Sequence, residues 1–280
     1  MSPRVLLLGA SGLLGGHLLR RIPESFATVA ASGRRGGAGA DPRVQWLPAP
    51  FDAADLAAID PLLDAAAADV VINATGAAPR SPAAELAQVN ARFPRALAAA
   101  AAARGSRVVQ ISTDGVFSGN RGQYSEADRP DPIDDYGRSK LDGELAAPHL
   151  TIRTSFYGRT SRGSGLVEWL ASQRGGVVDG FADYRFSGLA AAMLAEFVAL
   201  AIDRALDGVY HVGGDPLTKF DLLAAVSRRL DLNVTVRPVI AGAVDRTLDT
   251  TRFFAAIGRP RPTVADSIEA LAPCGVLSRS

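Results

Sequence analysis

The sequence predicts an α/β fold organised around a doubly wound parallel sheet. Short runs of β-branched and aliphatic residues alternate with alanine- and leucine-rich segments through the first half of the chain. These runs are continuously apolar, as expected of strands that are buried on both faces of a parallel sheet. With 280 residues, of which 48% are hydrophobic, the chain can bury a sizeable core, which excludes a disordered or fibrous protein.

The predicted elements alternate in chain order. Strands are expected at residues 5–8, 28–31, 44–47, 70–73, 108–112 and 151–155, with a late strand at 209–212. Helices are expected at residues 13–21, 53–58, 83–104, 136–147 and 166–170. Clusters of glycine interrupt the second half of the chain, which is therefore predicted to be less regular.

A glycine-rich turn joins the first predicted strand to the first predicted helix. Gly9 permits the tight turn, Gly12 lets the backbone approach a pyrophosphate, and Gly15 allows the helix to pack closely on the strand. The N–H groups at the start of the helix can then bind phosphate. We predict that a dinucleotide contacts Gly9, Ser11, Gly12, Leu13 and Gly15, although a plain glycine turn before a helix has the same spacing.

The residues after the second predicted strand indicate which dinucleotide is bound. An acid there would favour NAD, whereas Ser32, Arg34 and Arg35 suit the 2′-phosphate of NADP. We predict NADP(H) as the preferred cofactor and NAD(H) as a possible one; a solvated arginine pair is the alternative. Other cofactor-binding candidates are Asp52, which could instead cap the helix that follows it, and Ala74, Thr75, Gly76 and Asn90.

A tyrosine and a lysine with helical spacing are candidates for acid–base chemistry. The chain has only two lysines, Lys140 and Lys219, and Lys140 follows Tyr136 by four residues. Residues with that spacing share one face of a helix. A fixed cation there would lower the pKa of the phenol from about 10 toward the range in which general acid–base catalysis is efficient.

These motifs together resemble the extended short-chain dehydrogenases/reductases, and more narrowly the dTDP-4-dehydrorhamnose reductase-like sugar-nucleotide reductases. The matching stretches are residues 9–15, 112–119, 124–126, 135–144, 152–155, 186–188, 208–212 and 245–249. The resemblance implies a Rossmann-type NADP-binding domain over residues 1–156, to which residues 207–213 return as a late strand. Residues 157–280 would then form mainly a smaller substrate-binding region.

The same resemblance implies roles for individual residues. Thr113, or Ser112 beside it, would hydrogen-bond the substrate carbonyl. Tyr136 would donate a proton to that oxygen, and Lys140 would bind the nicotinamide ribose and lower the pKa of Tyr136. Donors at this oxygen are effective because negative charge builds on it as hydride reaches the carbon.

The resemblance also implies a set of substrate-binding residues: Asp114, Val116, Phe117, Arg153, Ser187 and Arg246. Arg246 is favoured for the diphosphate, although each arginine could instead belong to a surface ion pair. The related dehydratases carry glutamate at the position of Gly115, so reduction is favoured over dehydration. The reductases usually have an aromatic residue there, so Gly115 leaves the sugar open. Trp169 lies on an apolar helix and is predicted to be in the core.

The predicted function is NADPH-dependent reduction of the 4-keto group of a nucleotide-activated deoxysugar. The alternatives are an NAD-dependent sugar-nucleotide epimerase or isomerase, and a non-catalytic NADP-binding subunit like that of methionine adenosyltransferase, which resembles the same family. A net charge of +1 without a basic stripe predicts no nucleic-acid partner, and the cysteine and histidine spacing predicts no metal. The first apolar run is too short for a membrane span, so a cytoplasmic protein is expected, with a homodimer possible.

Overall fold

The computed structural model describes residues 2–31, 42–47, 51–160, 163 and 165–271. The strands there are β1 (Arg4–Leu8), β2 (Ala27–Ala31), β3 (Val44–Trp46), β4 (Val70–Asn73), β5 (Arg107–Ile111), β6 (Leu150–Tyr157), β7 (Val177–Phe181), β8 (Tyr184–Phe186), β9 (Gly188–Ala190), β10 (Gly208–Val212), β11 (Leu217–Thr218), β12 (Thr235–Val239) and β13 (Val244–Arg246). The helices are α1 (Leu13–Arg21), α2 (Ile59–Ala66), α3 (Ala83–Glu85), α4 (Phe93–Ala102), α5 (Asp135–Asp142), α6 (Leu166–Ser172), α7 (Ala191–Asp203), α8 (Lys219–Arg229), α9 (Thr251–Ile257) and α10 (Val264–Glu269).

Eight of the described strands form the central sheet. Seven of them lie in the order β10-β6-β5-β4-β1-β2-β3, and β9 pairs with the end of β6. Every pairing in this sheet is parallel. The chain runs outward from β1 through β2 and β3, then crosses to β4 on the other side of β1. The predicted doubly wound parallel sheet is therefore confirmed, and the strand order reverses between β1 and β4, where such folds bind their ligands.

Both faces of the sheet are covered, which explains why its strands are continuously apolar. One apolar cluster joins the strands to α1, α7 and α9, and a second joins the opposite face to α2 and α4. β1 shows the consequence in its sequence, because Val5 and Leu7 belong to the first cluster and Leu6 and Leu8 to the second. All four side chains are fully buried.

The rest of the described second half forms two small sheets around a third apolar cluster. One sheet has the order β11-β8-β13, and the other pairs β12 with β7. Helices α6, α8 and α10 contribute residues to this cluster. Among the described residues, no helix combines the length and the apolarity needed to cross a membrane.

Three helices differ from their predicted form. The helix expected at 53–58 begins later, as a 3-10 turn at Leu56–Ala58 that leads into α2. The one expected at 83–104 is continuous, but its segment Leu86–Arg92 is π-helical. The one expected at 136–147 stops at Asp142, and its C-cap, Gly143, packs so closely on Asn90 that a Cβ would lie 1.8 Å from the Asn90 carbonyl oxygen.

Candidate functional site

The glycine turn between β1 and α1 has the geometry of a phosphate-binding loop. Gly9 has a positive φ of 82°, and a Cβ there would lie 2.8 Å from the carbonyl of Ala74. A Cβ on Gly15 would lie 1.9 Å from the carbonyl oxygen of Gly9. Gly12 is the N-cap of α1, with no side-chain cap and no acid in the first turn. The start of this nine-residue helix therefore suits an anionic group.

The segment after β4 is fixed beside that loop by a buried asparagine from the π-helical segment. The side chain of Asn90 accepts a hydrogen bond from the Ala77 N–H (2.9 Å) and donates to the Ala77 carbonyl (3.3 Å) and to the Ser139 hydroxyl (3.1 Å). One side chain thus ties the segment of Ala74, Thr75 and Gly76 to helix α5. Thr75 is engaged too, because its hydroxyl donates to the side chain of Asn73.

The other predicted cofactor residues are less well defined by the structure. Ser32, Arg34 and Arg35 lie outside the described residues, so the choice between NADP and NAD stays a prediction. Asp52 accepts a hydrogen bond from the Ala54 N–H (3.0 Å), while Asp55 caps the 3-10 turn that follows. The predicted capping alternative for Asp52 is therefore wrong.

The three predicted catalytic residues come together at the carboxyl end of β5. Thr113 follows β5 and caps a short 3-10 turn, accepting the N–H of Gly115 at 3.1 Å. The Tyr136 side chain lies beside Thr113, whose hydroxyl donates to Asp114 Oδ1 at 3.3 Å. Lys140, one turn along α5 from Tyr136, is buried, and its Nζ donates to the Ile111 carbonyl at 2.6 Å.

Tyr136 is placed by the local fold of α5. Asp134 caps the helix by accepting the N–H of Gly137 at 2.7 Å. A Cβ on Gly137 would lie 2.2 Å from the carbonyl oxygen of Gly115, so the start of the helix rests directly on the turn that follows Thr113. Ser139 donates to the Tyr136 carbonyl at 2.8 Å and also receives the Asn90 hydrogen bond.

The pKa of Tyr136 differs from the sequence expectation. Burial, followed by the charge of Asp114, raises the pKa of Tyr136 to about 12, and the neighbouring Thr113 hydroxyl opposes that rise. Burial lowers the pKa of Lys140 to about 8, with Glu144 opposing the change. The expectation that Lys140 pulls the phenol pKa down is therefore not met in this structure. Tyr136 keeps its proton at neutral pH, as a proton donor must.

A cluster of charges borders the catalytic residues. Asp114 is buried, and burial raises the pKa of its carboxyl against the opposing charges of Lys219 and Arg246. Arg246 Nη1 lies 3.4 Å from the Tyr184 hydroxyl, and its Nε is buried with no hydrogen-bond partner. Lys219 Nζ lies over the ring of Phe186, 3.8 Å from its centroid. Sequence reasoning gave Lys219 no role, because no motif surrounds it.

The structure argues against the predicted substrate contact of Arg153. Its guanidinium donates to both carboxylate oxygens of Glu144, at 2.8 and 2.7 Å, and both side chains are more than nine-tenths buried. Ser112 also donates to Glu144 (2.7 Å), and Arg153 contacts the ring of buried His211 at 3.3 Å. Arg153 is fully engaged inside the protein, and Ser112 is less available than Thr113 as a carbonyl ligand.

Three other predicted substrate contacts are also occupied by internal packing. Val116 and Phe117 are fully buried, and the Phe117 ring stacks on Tyr124 with centroids 4.2 Å apart. Ser187 is buried, and its hydroxyl accepts the N–H of Leu248 at 3.1 Å. These three side chains therefore have packing roles inside the protein. Of the predicted substrate set, Asp114 and Arg246 remain beside Thr113.

Outside this site, the prediction that Trp169 lies in the core is wrong. Trp169 of α6 is 44% exposed and not in the core, because α6 directs Val167 and Leu170 inward instead. Within the described ranges, no group of three or more acidic, histidine or cysteine side chains could hold a metal ion.

The strand order, the glycine loop and the tyrosine–lysine helix are those of an extended short-chain dehydrogenase/reductase. The chain belongs to the RmlD substrate binding domain family, whose model matches residues 3–261. This assignment confirms the resemblance that the motifs indicate.

The relatives of the chain include reductases and a subunit of another enzyme. The chain is 32% identical, over 87% of its length and 83% of the relative's, to a probable dTDP-4,6-dihydroxy-2-methyloxan-3-one 4-ketoreductase of Streptomyces antibioticus. It is 28% identical, over 85% of its length and 75% of the relative's, to methionine adenosyltransferase 2 subunit beta of Mus musculus.

The fold is also that of a solved reductase. A crystal structure of dTDP-4-dehydrorhamnose reductase from Bacillus anthracis, in complex with NADP, superposes with a TM-score of 0.80 at 23% identity. The match covers 96% of this chain and 97% of that one. At this identity the comparison establishes the shared architecture.

Proposed function

We propose that the protein is an NADPH-dependent reductase of the 4-keto group of a nucleotide-activated deoxysugar. The observation that carries the proposal is the placement of Tyr136 beside Thr113 at the carboxyl end of β5, one helical turn from buried Lys140. Two donors that converge at such a place can hold a single carbonyl oxygen. Membership of the RmlD family and the 32% identical ketoreductase support the same chemistry.

The glycine loop fits the cofactor. The start of α1 has no side-chain cap and offers its backbone N–H groups to a pyrophosphate, and the close approach of Gly15 to Gly9 fixes the tight turn before it. Gly9, Ser11, Gly12, Leu13 and Gly15 would hold the phosphates, with Ala74, Thr75 and Gly76 alongside. NADPH, when bound, supplies the hydride. NADP is preferred and NAD is possible, because Ser32, Arg34 and Arg35 suit a 2′-phosphate.

The residues of this chain would control the proton. Thr113 and Tyr136 bind the substrate oxygen and stabilise the negative charge that develops there. The phenol pKa of about 12 keeps Tyr136 protonated until that charge appears. Tyr136 then donates its proton to the oxygen, and Lys140, one helical turn away, would bind the nicotinamide ribose.

Two features distinguish between the reactions that sugar-nucleotide enzymes of this fold catalyse. A dehydratase needs an acid after Asp114 to help expel water, and the chain has Gly115 there. Arg246 is a cation beside Thr113 with an unsatisfied Nε, so it is placed to bind the substrate's diphosphate. Reduction of a carbonyl on a sugar nucleotide is the reaction that both features fit.

A second candidate is a non-catalytic NADP-binding subunit. The relative of Mus musculus, a subunit of methionine adenosyltransferase, favours it. Such a protein has no need for a protonated tyrosine paired with threonine. The placement of Tyr136 beside Thr113, with Lys140 on the same helix, therefore favours the reductase.

The test is turnover of NADPH with a panel of 4-keto-6-deoxy sugar nucleotides, followed by the absorbance of the reduced cofactor. We expect oxidation with at least one member of the panel. Tight NADPH binding without oxidation by any of them would overturn the reductase and favour the subunit. A reaction that leaves NADPH unconsumed while isomerising the sugar would favour an epimerase.

A further inference from the structure

Lys219 occupies a position that is electrostatically unfavourable for a lysine. It is the first residue of α8, and a capping box between Thr218 and Asp221 fixes the helix start there. A cation at a helix N-terminus opposes the positive end of the helix dipole. Burial also disfavours its charge, as does the neighbouring Arg246. Asp114 is the group that compensates.

The aromatic rings of β8 hold the Lys219 side chain in place. Nζ lies 3.8 Å from the centroid of the Phe186 ring and 5.2 Å from that of Tyr184. These cation–π contacts hold the ammonium over the two rings. No ion pair with Lys219 is found among the described residues, so its N–H donors remain available to a ligand.

The cluster lies within reach of the reacting carbonyl. A Cβ built on Gly115 would be 3.3 Å from Thr113 Oγ1 and 3.6 Å from Arg246 Nη1. Arg246 Nη1 and Thr113 Oγ1 can therefore be no farther apart than the sum of these two distances. That upper limit is on the order of the width of one sugar ring, so a substrate with a 4-keto oxygen and a phosphate on C1 can contact both groups.

From this arrangement we propose that Lys219 is a substrate-binding residue that, with Arg246, binds an oxygen of the substrate's diphosphate. The inference rests on the proposed function for the position of the sugar. Asp114 compensates the two cations while the site is empty of substrate. The two cations then recognise the diphosphate that every sugar nucleotide carries, independent of which sugar is attached.

The closing experiment measures binding instead of turnover. Affinities of dTDP, UDP and GDP, and of thymidine as the phosphate-free control, are determined by calorimetry for the wild-type chain and for Lys219→Met, Lys219→Arg and Arg185→Met. Arg185 is the matched control, because it is the exposed residue between Tyr184 and Phe186 on β8 and pairs with Asp245 at the surface. NADPH affinity and the melting temperature report whether each variant is folded.

We expect Lys219→Met to weaken the best nucleoside diphosphate about tenfold or more, since a charged hydrogen bond is lost. Lys219→Arg should restore most of that affinity, and Arg185→Met should leave it unchanged. Thymidine and NADPH affinities should not respond to any of the three substitutions.

Two outcomes would overturn the proposal. One is a Lys219→Met variant that binds nucleoside diphosphates with wild-type affinity. If the KM of a keto sugar nucleotide alone rises in that variant, Lys219 instead binds an anionic group on the sugar. The other is a wild-type chain that binds none of the diphosphates. A failure of the reductase itself is distinct, because it would appear as absent NADPH oxidation while the Lys219 effect on diphosphate affinity persists.

Discussion

Gly15 and Gly9 are in backbone contact across the turn that opens helix α1, with no space for a side chain between them. The Cβ of an alanine at position 15 would lie 1.9 Å from the Gly9 carbonyl oxygen, whereas that of an alanine at the next position, Gly16, would meet nothing closer than 3.9 Å. Position 15 therefore has no space for a side chain, whereas position 16 has space for a methyl group.

Gly15→Ala should lower the free energy of unfolding by roughly 2–3 kcal/mol or more, because the backbone must move to relieve the overlap. Gly16→Ala should raise it by about 0.5–1 kcal/mol, as expected for glycine replacement inside a helix. Denaturant unfolding of both variants measures this, with NADPH affinity expected to fall only for Gly15→Ala. Equal stabilities would show that α1 can shift freely over β1.

Tyr136→Phe should reduce kcat by about 100-fold to 10,000-fold, because it removes the proposed proton donor. NADPH affinity should stay near that of the wild type. Tyr210→Phe makes the same chemical change in β10 and should leave the rate unchanged. A Tyr136→Phe variant that turns over like the wild type would reassign the acid.

Replacement of the two arginines should separate structure from binding. Arg153→Met leaves Glu144 buried without its partner and should destabilise the protein by roughly 3–5 kcal/mol, with little change in the KM of the sugar nucleotide. Arg246→Met should have the opposite profile, with a raised KM and a small stability change. Denaturant unfolding and steady-state kinetics of both variants distinguish the two roles. A raised KM in a well-folded Arg153→Met variant would show that Arg153 contacts the substrate.

Lys140 should give the apo protein a characteristic pH dependence. Its pKa is about 8 in the folded chain and 10.5 when exposed, so the unfolded state binds the extra proton between those values. Stability relative to Lys140→Met should therefore rise from pH 8 to pH 10.5, by about 3 kcal/mol in total. Below pH 8 the difference should be constant. A pH-independent difference throughout would show that Lys140 is not desolvated.

The sequence predicts the parts of the site that short motifs encode. The glycine loop, the Thr113 turn and the Tyr136 helix are each local, and each has the predicted place in the fold. The choice of sheet also follows from sequence, because strands buried on both faces are continuously apolar. Bounds of elements are less predictable: α5 ends before Gly143, where the chain packs on Asn90, which is distant in the sequence.

Partners that meet only through the tertiary fold are beyond such reasoning. Arg153 resembles a free ligand-binding arginine in sequence, yet it meets Glu144 through a buried ion pair. Lys219 has no motif, and only the packing of α8 against β8 brings it to Asp114 and Arg246. The raised pKa of Tyr136 likewise depends on burial by distant residues.

Strand β6 is shared by the two halves of the chain. Residues 150–154 pair with β10, and Ser155, Phe156 and Tyr157 pair with β9. Both partner strands come from the second half of the chain. A polypeptide truncated after residue 156 would lack Tyr157 and both partner strands. The N–H and carbonyl groups along that edge of β6 would then be unpaired and exposed to pairing with a second copy of the chain. The two halves should consequently be inseparable by truncation, and they should melt in one cooperative transition.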